Sequence, residues 1–176
     1  MKLKEKRIAI LTEKLYEDLE LWYPYYRLKE EGWDVLLVGI QKGATHQGKY
    51  GYPATVEVDV GNLNASDWDA VIIPGGYSPD HLRRHESLVK FVREIHAHGG
   101  IAAAICHGPW MLASADLLRE VKATCFSAIR VDIQNAGAIY SDEEVVVDQR
   151  IITSRKPEDL PAFCQAIIRE LVGARS

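Results

Sequence analysis

Four short apolar runs, Ile8-Ala9-Ile10-Leu11, Val35-Leu36-Leu37-Val38, Ala70-Val71-Ile72-Ile73 and Ile101-Ala102-Ala103-Ala104-Ile105, contain no charge and no alternation of polar with apolar residues. A strand that is apolar on both faces has to be covered on both faces. The arrangement that does this is an α/β fold with a mainly parallel central sheet and helices on either side. Around these runs the pattern predicts strands at Arg7–Thr12, Asp34–Gly39, Ala70–Ile73 and Ile101–Ile105. Shorter ones are expected at Thr55–Val58 and near Ala123-Thr124, and a hairpin pairs Val145–Val147 with Ile151–Thr153 about a turn at Asp148-Gln149. Helical patterning covers Leu19–Glu31, Asp80–His98, a segment opening at Pro109, Ala128–Asn135 and Leu160–Val172. Residues 40–53, with three glycines and a proline, read as a loop or short hairpin. With no repeat or linker, the 176 residues are expected to form one domain spanning 1–176.

In open parallel sheets, reactive groups gather beyond the carboxyl ends of the strands. Three predicted strand ends carry unusual chemistry: Thr12–Glu20, Pro74-Gly75-Gly76 and Cys106-His107. The last is the most informative. An apolar strand stops at Cys106-His107-Gly108-Pro109, and a helix follows with proline in its first turn. A thiol at such a corner sits near a positive helix end, which favours thiolate, and Ala104 and Gly108 relieve crowding on either side. Cys106 therefore reads as a nucleophile; the alternative is an inert cysteine packed as a small hydrophobe.

Around it, the N–H groups of Gly75 and Gly76 can stabilise an oxyanion, or the tripeptide can be a plain turn. Glu20, among Leu19, Leu21 and Trp22, has a raised pKa if it is buried and would then hydrogen-bond a thiolate. His107 either accepts the thiol proton or lines the pocket. Asp80 is placed to cap the helix that follows it. His81 and His85 have metal-ligand spacing, but Arg83-Arg84 lie between them and no acidic third ligand is suitably spaced, so no metal is expected. His96 and His98 read as solvated partners of a helix end.

Bulk properties narrow the partners. A net charge of −4, with no cluster of Lys and Arg, leaves no footprint for nucleic acid. Beyond the charged Met1–Arg7, the run Ile8–Leu11 is too short for a signal peptide or membrane span. Three cysteines without a C-x-x-C predict free thiols in a reducing cytoplasm. Without a G-x-G-x-x-G, or a Lys-Ser/Thr after the glycines, phosphate binding at Pro74-Gly75-Gly76 is disfavoured, and no cofactor is expected. Trp22, Tyr23, Tyr25 and Tyr26 put aromatics on more than one side of the first helix, which predicts a homo-oligomer, most simply a dimer.

Several stretches carry a family resemblance. They are Tyr16–Leu21 with Tyr23-Pro24, Pro74-Gly75-Gly76 with Pro79–Arg84, Ala104–Leu112, Asn135–Ala138, Glu144–Asp148 and Ile152–Phe163. Together they resemble the PfpI family, the intracellular protease-like branch of the class I glutamine amidotransferase-like superfamily. The resemblance implies a three-layer flavodoxin-like sandwich with Cys106 on a nucleophile elbow, and the Glu20 carboxyl against the thiol. It implies oxyanion donors near Gly76 and His107, and Asp80 reaching a Cys106-His107 pair from a neighbouring subunit of a dimer or hexamer. The implied activity is a cofactor-independent, stress-protective cysteine hydrolase acting on reactive carbonyls or their protein adducts, of glyoxalase or deglycase type. The alternatives are an intracellular cysteine peptidase and a redox-responsive stress protein or holdase. Two positions depart from the common family pattern. Phe126 stands where a polar-tipped aromatic is usual, and Ala115-Asp116-Leu117 where Ala-Gly-Leu is usual.

Overall fold

The computed structural model describes residues 5–173, so Met1–Lys4 of the charged N-terminal segment lie outside the described residues. In chain order the elements are β1 (Arg7–Leu11), α1 (Asp18–Glu30), β2 (Asp34–Gly39), β3 (Thr45–Gln47), β4 (Pro53–Thr55), β5 (Val58–Asp59), β6 (Ala70–Ile73), α2 (Ser78–Leu82) and α3 (Glu86–Ala97). There follow β7 (Ile101–Ile105), α4 (Pro109–Ser114), β8 (Lys122–Ala123), α5 (Arg130–Asn135), β9 (Ile139–Tyr140), β10 (Val146–Asp148), β11 (Ile151–Ser154) and α6 (Leu160–Gly173). Seven strands form one sheet in the order β10-β11-β7-β6-β1-β2-β5, parallel except for the edge strand β10.

Side chains that alternate along the central strands build two cores. Ala9, Leu11, Val71, Ile73, Ala102 and Ala104 point to the face covered by α3, α4 and α5. Ile8, Ile10, Ala70, Ile72, Ala103 and Ile105 point to the face covered by α1 and α6. Each fully buried Ile or Leu contributes roughly 1.5–3 kcal/mol, which is why the apolar runs end up in the middle of the sandwich. The chain is thus an α/β sheet with helices on both faces. None of its described helices is long and apolar enough to cross a membrane.

Three sequence expectations shift. The helix expected over Asp80–His98 is two helices, because His85 is extended (φ −101°, ψ 104°). Arg83 donates to Ser114 Oγ on α4 at 2.9 Å, and α2 packs on α4 while α3 packs on β6 and β7. The break keeps Leu82, Leu88 and Val89 buried, so hydrophobic periodicity does not register it. The strand expected at Thr55–Val58 is shared between two sheets. Pro53–Thr55 pairs with Thr45–Gln47 in a hairpin, and Val58-Asp59 pairs with Val38-Gly39 at the edge of the main sheet. Between them, the Glu57 carboxylate accepts the Leu37 N–H at 2.8 Å in place of a strand partner. Finally, the β10–β11 turn lies at Gln149-Arg150, one residue later than expected, with φ of 49° and 62°.

Candidate active site

Cys106 leaves the end of β7 with φ 62°. Its N–H donates to Ser154 O at the end of β11, and its carbonyl accepts the N–H of Phe126, both at 3.0 Å. The chain then dives into α4. Gly108 makes this possible: a Cβ there would stand 2.4 Å from the Ile73 carbonyl oxygen. The thiol, 8% exposed, is left at the floor of a cavity of about 480 Å³, with Glu17, Lys49, Tyr50, Tyr77, Phe126 and Lys156 among its walls.

Four groups meet at the sulfur. His107 Nδ1 lies 3.2 Å from Sγ, so the sharp turn does bring sequence neighbours into a Cys–His contact. The backbone N–H groups of Gly76 and His107 hydrogen-bond towards the sulfur. The fourth group is the carboxyl of Glu20, fully buried in the first turn of α1. Its Oε2 accepts the Gly75 N–H at 2.7 Å, while Oε1 has no hydrogen-bond partner among the described residues. Burial of this oxygen beside the thiol disfavours the ionised carboxylate. Gly75 is glycine because a Cβ would stand 2.5 Å from Glu20 Oε2 and 2.6 Å from Cys106 Cβ. Its N–H, expected as an oxyanion donor, is already committed to Glu20, whereas the N–H groups of Gly76 and His107 face the sulfur.

The loops after β1 and β6 are sewn together by an antiparallel bridge between Tyr16 and Gly76, with Tyr77 N–H donating to Leu15 O and Glu17 N–H to Gly75 O. This carries Glu20 to the thiol. Glu17 caps α1 by accepting the Leu19 N–H at 3.1 Å.

Burial pushes the Glu20 carboxyl up to about 8. Burial, and next the charge of Glu20, push the Cys106 thiol up to about 12, while the two N–H groups pull it down. Burial thus works against the resting thiolate expected from the helix end. Desolvation outweighs the field of α4, which is six residues long. The Glu20 contribution acts only when that carboxyl is ionised. With Glu20 protonated, burial alone opposes the thiolate, and the carboxyl proton and both N–H groups favour it. Burial, followed by Lys49, lowers the His107 pKa, leaving a neutral imidazole able to take a proton. The ring is held between Phe126, stacked at 5.1 Å, and Trp110, edge-on at 5.3 Å.

Asp80 lies elsewhere. It sits inside α2 and does not cap it; its carboxylate pairs with Arg84, and it borders a separate hollow with Arg83, Trp110 and Asp132. Within its own chain it does not join Cys106 and His107. Among the described residues no group of three or more His, Cys, Asp or Glu is arranged to hold a metal; His85 lies near Glu13, and His96 Nε2 is 2.8 Å from Gln149 O. Asp116 takes φ 55° just beyond α4, a conformation that suits glycine, and it does not line the cavity. Sequence reading missed the cavity walls Lys49, Tyr50, Tyr77 and Lys156, because nothing local marks a loop residue as facing a site.

The sequence profile of the DJ-1/PfpI family matches residues 6–170. A deglycase of Pyrococcus horikoshii is 40% identical over 165 residues, 94% of this chain and 99% of its own length. Protein/nucleic acid deglycase 2 of Escherichia coli is 40% identical over 171 residues, 96% of this chain and 99% of its own. The crystal structure of a two-domain protein from Anabaena variabilis, with DJ-1/ThiJ/PfpI-like and ferritin-like domains, superposes with a TM-score of 0.93 at 43% identity. That match covers 95% of this chain and 48% of the larger one.

Proposed function

The chain belongs to the DJ-1/PfpI family, and from that membership we propose that it is a cysteine-dependent, stress-protective enzyme of the deglycase or glyoxalase type. Its substrates are reactive carbonyls or their adducts on amines, and Cys106 is the nucleophile. One observation carries this reading. A buried thiol has an imidazole nitrogen at 3.2 Å, two backbone N–H groups and a carboxyl that holds its proton at neutral pH, all at the floor of one cavity.

His107 takes the thiol proton, and Sγ adds to the aldehyde carbon C1 of a 2-oxoaldehyde such as methylglyoxal. The carbonyl electron pair moves onto oxygen, held by the N–H groups of Gly76 and His107, and the proton returns to give a hemithioacetal. Glu20 then relays a proton from C1 to C2, a task suited to a carboxyl that titrates near neutrality. C1 is now at the oxidation level of a thioester and C2 is an alcohol. Water cleaves the C–S bond, releasing lactate and the free thiol. With a hemiaminal adduct on an amine, Sγ replaces nitrogen on C1, the C–N bond breaks, the amine leaves carrying the thiol proton, and the resulting hemithioacetal follows the same course.

The strand–turn–helix at Cys106 is read as a nucleophile elbow in a flavodoxin-like sandwich. Three free, buried cysteines support a reducing cytoplasm as the working compartment. The exposed Leu19, Tyr23 and Tyr26 on α1 support self-association as a dimer or larger oligomer. The test is the loss of methylglyoxal and appearance of lactate with wild type beside Cys106→Ser and Glu20→Gln. Turnover is expected in wild type, at least about a thousandfold lower in Cys106→Ser and strongly reduced in Glu20→Gln. Equal turnover in wild type and Cys106→Ser sinks the nucleophile. Peptide hydrolysis confined to an oligomeric fraction and lost in Asp80→Asn makes the enzyme a peptidase instead.

A further inference from the structure

The cavity above Cys106 holds two cations that the reaction does not use. Lys49, between β3 and β4, and Lys156, just after β11, both line it. Among the described residues neither ammonium is within salt-bridge distance of a carboxylate. The structure accounts for both vacancies. Arg155, the residue before Lys156, binds Asp142 and Asp159 at 2.9 Å each, so these two acids are not available to Lys156. Beside Lys49, the carboxylate of Asp18 is spent on backbone, accepting the N–H groups of Tyr50 at 2.9 Å and Tyr52 at 3.1 Å. Those bonds, with Lys49 N–H donating to Tyr16 O at 2.8 Å, fix the loop, and the Lys49 ammonium lies over the Tyr50 ring, 5.3 Å from its centroid, with no carboxylate to neutralise it among the described residues.

The opposing charges are few. Glu20 holds its proton at neutral pH, and Glu17 is engaged as the cap of α1. The wall therefore carries two positive charges against one negative. Lys49 also acts on Cys106, Glu20 and His107 alike, which puts its charge close to the reacting atoms. A neutral three-carbon aldehyde fills only a small part of about 480 Å³ and offers these cations nothing.

We propose that Lys49 and Lys156 select a 2-oxoaldehyde that carries an anionic group, carboxylate or phosphate, on the carbon chain beyond the ketone. This rests on the carbonyl reading of Cys106. The chemistry balances without an outside oxidant or reductant: Sγ bonds to C1, C1 is oxidised as C2 is reduced, and water breaks the C–S bond. The product is a 2-hydroxy acid bearing a second anion.

Three probes separate the cases: methylglyoxal, 4,5-dioxopentanoate for the carboxylate and 3-phosphooxy-2-oxopropanal for the phosphate. Wild type is expected to favour at least one anionic probe over methylglyoxal by about tenfold in kcat/KM, with the preference shrinking as salt rises. Lys156→Gln lowers that ratio through KM, and Lys156→Glu lowers it further; whichever anion gains identifies the source. A wild type that treats methylglyoxal as well as both anions overturns the proposal, as does a Lys156 series that changes all three probes in proportion. If no probe turns over, the carbonyl reading fails separately. Protection of Cys106 from iodoacetamide then decides the anion site. Shielding by 2-hydroxyglutarate or 3-phosphoglycerate beyond that by lactate, lost in Lys49→Gln with Lys156→Gln, upholds it; equal shielding overturns it.

Discussion

Glu20 is a carboxyl out of reach of water, and its proton ties the chemistry of the site to the stability of the chain. Its pKa is about 8 folded against 4.5 unfolded, so between those values the folded state binds more protons than the unfolded one. The stability this proton confers is fully present below pH 4.5 and is lost as pH rises through 8, a fall of roughly 5 kcal/mol. Glu20→Gln removes the titration. Urea midpoints between pH 5 and pH 8 are expected to fall for wild type and to stay nearly level for the variant; parallel slopes would place the coupling elsewhere. At this scale the sequence was informative where a signal is local. Cys106 with His107, Gly76 after a strand, and a carboxyl among apolar neighbours each stand out in a few residues. The protonation state did not, because burial is a property of the assembled loops. Lys49 and Lys156 were silent for a similar reason, since only the folded hairpin and the end of β11 bring them to one cavity.

Elements were legible where two faces of burial write an unbroken apolar run, hence the close agreement at β1, β2, β6 and β7. They were less so where one run serves two sheets, as at β4 and β5, or where a break spares the apolar positions, as between α2 and α3. The β10–β11 turn shows a third case. Its two central residues, Gln149 and Arg150, both have positive φ, a conformation that favours Asn-Gly and costs other residues roughly 1–2 kcal/mol each. Arg150 also buries its Nε without a partner. Neither Gln149 nor Arg150 is a residue that favours such a turn, so sequence pattern places the turn one residue early. The double change Gln149→Asn with Arg150→Gly is expected to raise unfolding stability by about 1 kcal/mol, read from the denaturant midpoint. A drop would mean that the aliphatic stem of Arg150 outweighs the backbone strain.

The whole molecule keeps stability and chemistry in different places. The core under α3 holds Phe91, edge-on to Trp68 at 5.8 Å, on the face of the sheet opposite the core that includes Cys106. Phe91→Ala is expected to cost about 3–5 kcal/mol. Turnover per folded molecule at 20 °C should remain close to wild type, checked by thermal unfolding beside kcat. A large loss of kcat in protein that is still folded would show that the two faces are coupled. The peptide of Cys106 belongs to this larger frame: its N–H is held by Ser154 and its carbonyl by Phe126, both through main-chain atoms. Main-chain ties survive changes of side chain. Mutation can therefore rewrite the cavity wall at Lys49, Phe126 or Lys156 while the thiol keeps its position, and a lineage built on this frame inherits its reaction and its choice of clients as separate traits.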